Sequence, residues 1–205
     1  MTAGTAPATT DRSDFRHILV GGTWLGAAVG AAVIVYLLVS RLVPAGIGQA
    51  LLQTLVVLAA AVIATFLPAH WTTARNTQGI AGAAAVGLWG TIVFMAIDII
   101  LLRPLKAYPW TWDAVGGGST WWYLPIWWML GTFVAWLGGL VTAARARRGG
   151  KTSIPALALP LVLGAVGFAI GIGLGQVRIG LPVAAGGGFT VILVVFAIVA
   201  VARKT

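Results

Sequence analysis

The chain has no cysteine and no glutamate among its 205 residues, and its only acids are Asp11, Asp14, Asp98 and Asp113. The absence of cysteine removes disulfides, thiolate metal sites, iron–sulfur ligation and cysteine nucleophiles together. It leaves the redox compartment open. Four carboxylates and two histidines are a thin inventory for acid–base catalysis. Charged residues make up 8% of the chain, where soluble domains carry about a quarter. A chain of this composition cannot fold as a water-soluble domain.

What the chain has instead is hydrocarbon. Hydrophobic residues make up 60% of it, and the mean hydropathy is +0.99. This composition predicts an all-α polytopic membrane protein with no soluble domain. The formal net charge of +9 raises nucleic acid as a partner, but the 13 basic residues are scattered between apolar stretches. Nucleic acid is therefore set aside, and a membrane with anionic lipid headgroups is the expected partner.

Six apolar runs are each long enough to cross a hydrocarbon core of ~30 Å: about 18–39, 47–67, 80–102, 121–141, 154–174 and 183–201. They make a transmembrane domain over 18–202, preceded by a polar tail, 1–17, that contains Pro7 and no hydrophobic periodicity. The tail does not read as a cleavable signal, because the apolar run after it is too long and no A-x-A site closes it. Pro125 falls in the first turn of the fourth run, where a missing N–H costs little. The one long connection is 104–120.

Lysine and arginine counts set the expected orientation. With six spans, the N-terminus, the second and fourth connections and the C-terminus share a side. They carry Arg12, Arg16, Arg75, Arg145, Arg147, Arg148, Lys151, Arg203 and Lys204. The opposite side carries Arg41, Arg103, Lys106 and Arg178. Nine against four predicts both termini in the cytoplasm and the 104–120 loop outside, as in a bacterial inner membrane.

Six of the ten tryptophans fall within 110–128. An indole places its ring in hydrocarbon and its N–H in water, so such a cluster predicts a belt at the external interface. Tyr108, Trp110 and Trp112 alternate in the loop and are expected to lie on the bilayer surface. Trp121 and Trp122 begin the fourth span, and Trp127 and Trp128 lie about one turn further in. A belt requires neither of these nor the deeper Trp136. The fourth span is therefore the expected face for a partner or pigment.

Small residues recur at every fourth position in four spans: Gly22, Gly26 and Gly30; Gly79, Ala83 and Gly87; Gly131, Ala135 and Gly139; Gly167, Gly171 and Gly175. Each set forms one stripe of accessible backbone, where a neighbouring helix gains dispersion contacts that lipid cannot supply. The stripes are expected to join spans to one another. Two further uses stay open: a contact with another subunit, or a cradle for a flat ligand such as a quinone, carotenoid or chlorophyll.

Asp98, in FMAIDIILLR, is the one clear ionisable residue inside a span. A charge there costs ~3 kcal/mol on insertion scales, so it needs a partner or a wet cavity. Arg103 lies near, but a spacing of five is off the favoured face of an α-helix. Arg178, just after the fifth span, is the expected partner. The two histidines, His17 and His70, lie at span edges on the cytoplasmic side. They are read as headgroup contacts, with haem or chlorophyll ligation as the alternative.

The cluster Arg145, Arg147, Arg148 and Lys151 reads as a topology signal that binds lipid headgroups. Its GGKT fragment lacks the strand and the spacing of a phosphate-binding loop. The chain has no G-x-S-x-G and no H-E-x-x-H motif. Its serines, Ser13, Ser40, Ser119 and Ser153, stand at span edges or in loops. An enzyme is not expected. The sequence points to a non-catalytic integral subunit that stabilises a larger membrane complex, with energy-transducing assemblies, respiratory or photosynthetic, as candidate hosts. Two alternatives remain: a small transporter or channel with a step at Asp98, and an electron-transfer subunit using His17 and His70.

Overall fold

A computed structural model describes residues 14–105, 123–175 and 179–203. Six helices carry the fold: α1 (Phe15–Leu42), α2 (Ile47–Trp71), α3 (Thr77–Ile97, continued by a π-helical turn Asp98–Leu102), α4 (Tyr123–Arg147), α5 (Ile154–Leu174) and α6 (Leu181–Ala202). All six are long and apolar enough to cross a membrane, and there is no strand among the described residues. The polar tail and nearly all of the 104–120 loop lie outside the described residues.

Local chemistry sets most of the helix ends. Asp14 caps α1, its carboxylate accepting from the His17 backbone N–H at 3.2 Å. Asn76 caps α3 by accepting from Gly79 N–H at 2.8 Å. Pro155 and Pro182 sit in the first turns of α5 and α6, where no N–H is needed. The α1–α2 turn is closed from within the protein. Gln49 Nε2 donates to the Ser40 and Val43 carbonyls at 3.0 and 2.9 Å, and Gln53 Nε2 donates to Ser40 Oγ at 2.9 Å. Such satisfaction matters where lipid offers no hydrogen bonds.

Two helices end in the same hydrogen-bonded cap, a left-handed residue with crossed backbone bonds. In α4, Gly150 N–H donates to Arg145 O and Gly149 N–H to Ala146 O, both at 3.0 Å, with Gly149 at φ 67°. The glycine pair inside RARRGGK is thus a helix stop, and Arg145 and Arg147 lie in the last turn, facing the negative end of the helix dipole. In α2 the same role falls to Thr73, at φ 47°, with Ala74 N–H on Ala69 O at 2.9 Å. The helix accordingly runs through Pro68 to Trp71.

In the packing, α3 lies between α1 and α4, α5 pairs with α6, and α2 touches all five other helices. The main core joins α2, α4, α5 and α6 around Leu58, Phe66, Leu137, Leu161, Phe189 and Leu193. A smaller cluster of Ala69, Ala74, Ile80, Ala83 and Ala143 locks the α2–α3 turn against α4.

Candidate functional site

Asp98 is buried, its side chain 9% exposed, and its Oδ2 accepts from Arg103 Nε at 3.0 Å. The pairing corrects the expectation that Arg103 is badly placed. From Asp98 the helix widens to π spacing, with Arg103 N–H donating to Asp98 O at 2.9 Å, so a residue five positions on completes one turn. The second carboxylate oxygen, Oδ1, is buried with no hydrogen-bond partner among the described residues. Arg178, the partner expected from depth, lies outside the described residues. The local arrangement is an ion pair within one helix, with one acceptor oxygen left over.

The other polar side chains inside the spans are mostly committed to their own helices. Thr54, Thr91, Thr132 and Thr190 each donate to the carbonyl four residues back, at 2.7 to 3.0 Å. This is the local bond that hydroxyls make when no other acceptor competes. Thr65 is the exception: it is fully buried, and its Oγ1 has no partner among the described residues. One side-chain bond crosses between helices in the α1–α3 pair, from Trp89 Nε1 to Thr23 Oγ1 at 3.0 Å.

His17 and His70 line different hollows. His17 shares one with Arg16, Val20 and Trp71, and its ring contacts the Asp14 carboxylate. Desolvation raises the Asp14 pKa, but the side-chain and backbone hydrogen bonds from His17 and the charge of its ring together outweigh it, so the carboxyl lies below its ordinary 3.8. His70 shares the other hollow with Thr73, Arg75, Thr142, Thr152 and Ser153.

The four small-residue stripes separate into two kinds. A methyl group added at Gly22 or Gly26 would stand 2.5 to 3.0 Å from Trp89, Gly90 or Val93 of α3, while Gly30 meets Ile97 at an ordinary 3.4 Å. At Gly87 it would meet Ala135 and Gly131 of α4, and at Gly131 it would overlap Thr91. Gly139 meets Ile80 and Ala83 at ordinary contact distances. The tighter approach on α4 is Gly138, which lies on no stripe read from the sequence; its added carbon would come within 1.9 Å of the Thr65 carbonyl oxygen. The α5 stripe behaves differently: Gly167 and Gly171 face open space, and Gly175 meets only the backbone of its own helix.

Trp110, Trp112, Trp121, Trp122 and the Trp127 side chain lie outside the described residues. Trp128 and Trp136 are exposed on α4 beside Met129 and Phe133, and the Phe133 and Trp136 rings are 5.9 Å apart. Arg145, Arg147 and Arg148 follow one another at the end of α4, with Lys151 exposed three residues on.

A partly open apolar cavity of about 350 Å³ is bordered by α1, α2, α3, α4 and α6. No protein-family model, curated protein or solved structure matches the chain.

Proposed function

We propose that the protein is a non-catalytic integral subunit that packs into a larger complex of a bacterial inner membrane and stabilises it. The observation that carries this reading is the open glycine stripe of α5. A glycine inside a helix costs ~1 kcal/mol relative to alanine. On α1, α3 and α4 that cost is offset by backbone-to-backbone approach within the chain, as at Gly26 on Gly90 and Gly87 on Gly131. Gly167 and Gly171 receive no such return here. A helix from another membrane-embedded chain would supply it.

The exposed aromatic face of α4 supports a second contact surface, with Trp128 and Trp136 as anchors. Six spans with nine basic residues against four support cytoplasmic termini. On that side Arg145, Arg147, Arg148 and Lys151 meet anionic headgroups. Extraction in a mild detergent should co-purify other integral membrane chains, and the double variant Gly167→Leu/Gly171→Leu should lose them while keeping its own fold. Purification of the native chain as a lone, stable monomer would overturn the proposal.

A transporter or channel is the second reading, favoured by the Asp98 oxygen that has no partner among the described residues, at a π-helical turn, a deviation frequent at functional sites. Asp98→Asn separates the two. Loss of transport with assembly intact supports the second reading, and loss of assembly supports the first.

A further inference from the structure

Although α2 touches every other helix, it is the least buried of the six: 22% of its most apolar 18-residue stretch is buried, against 44% for α4. Val57, Ala60, Ala61 and Ala64, which border the cavity, are only partly buried. The α2–α3 hairpin is closed at its turn, where Thr72 Oγ1 donates to Gly79 O at 2.9 Å. Further along, Ala60, Ala61 and Ala64 of α2 and Gly90 and Phe94 of α3 form walls of the same 350 Å³ space.

The chemistry of the lining restricts what can enter. Thr91 and Thr190 are the only lining residues with polar side chains, and each donates its single proton to a carbonyl of its own helix. Neither hydroxyl has a proton left to give, so the lining favours apolar guests over polar ones; an apolar cavity of only ~150 Å³ already takes up benzene. A quinone ring would find no donor for its oxygens. Neither histidine borders the space to ligate a haem or chlorophyll metal. The surroundings of these helices are hydrocarbon, and Leu130 at the border is 42% exposed.

We propose that this cavity is a binding site for a single hydrocarbon chain, acyl or isoprenoid, which enters from the bilayer and lies between α2 and α3. Filling it restores the dispersion contacts that the facing alanine and glycine surfaces lack across the void. The site stands independently of the subunit reading, because its walls come from this chain alone.

Photolabelling of the full-length protein in lipid nanodiscs tests the proposal. One arm carries a phospholipid with a diazirine in an acyl chain, the other a polyprenol with a diazirine in its isoprenoid chain. Adducts at Ala60, Ala61, Ala64 or Phe94 are expected in at least one arm, and the arm that labels identifies the type of chain. Ala61→Phe should reduce them severalfold while leaving adducts at the outward Leu51 and Leu55 unchanged. If that variant does not fold, the adduct map of the unsubstituted protein still decides. Adducts confined to outward residues such as Leu51, Leu55 and Leu163 in both arms overturn the proposal.

Discussion

Arg103 donates from Nε to Asp98 Oδ2 across 3.0 Å, although the two residues are five apart in one helix. In a regular α-helix five residues end roughly 140° away around the axis, on a different face. The π turn absorbs that angle. A buried carboxylate therefore finds its counter-charge on its own helix.

Breaking this pair from one side should cost more than removing it whole. Arg103→Gln leaves a buried carboxylate without its cation and should lower stability by about 3 kcal/mol. Asp98→Leu/Arg103→Leu, which removes both charges, should recover most of that loss. Thermal unfolding in mild detergent, arranged as a double-mutant cycle, measures the coupling; additive single effects would show the pair to be uncoupled.

The two neighbouring glycines of α4 should respond oppositely to the same substitution. Gly138→Ala drives a methyl into the Thr65 carbonyl, a backbone atom that cannot rotate aside, and should cost about 3 kcal/mol. Gly139→Ala meets Ile80 and Ala83 at ordinary contact distances and gains helix propensity, so its stability should hold or rise. The comparison is read from melting temperatures of the two variants. Equal losses would mean that α2 and α4 do not cross at Thr65.

Thr65 offers a stabilising change. Its hydroxyl is fully buried without a partner among the described residues. Thr65→Val keeps the shape and removes the unsatisfied group, which should add about 1 kcal/mol. A lower melting temperature would instead reveal that the hydroxyl is hydrogen-bonded in the membrane.

The start of α1 should depend on acid. Hydrogen bonds from His17 hold the Asp14 carboxyl below its ordinary 3.8, so the cap favours the ionised form. Its contribution is present above pH 3.8 and is lost as the pH falls through the lowered value. Amide exchange in the first turn should therefore quicken relative to the helix centre in that window. Asp14→Ala should show the faster exchange at every pH, and an unchanged profile would remove the cap from the account.

Composition by itself determined the class of this protein. With 8% charged residues, six apolar runs and no soluble alternative, the chain had to form helices able to cross a membrane. Those features are local: a hydrophobic run of sufficient length, a capping Asp14 or Asn76, a proline in a first turn. The sequence also marked the small-residue stripes, but not where they face. In lipid the outer surface of a helix is as apolar as its core face, so no polar side tells inside from outside. Only the packing showed that Gly22 and Gly26 lie on α3 while Gly167 and Gly171 face outward, and that Gly138 makes the closer crossing than Gly139. The pairing of Asp98 was hidden for a related reason: a π turn changes which residues share a face, and spacing rules assume that no such turn occurs. The cavity beside α2 could not be read at all, because a void belongs to five helices together and to no segment of the chain.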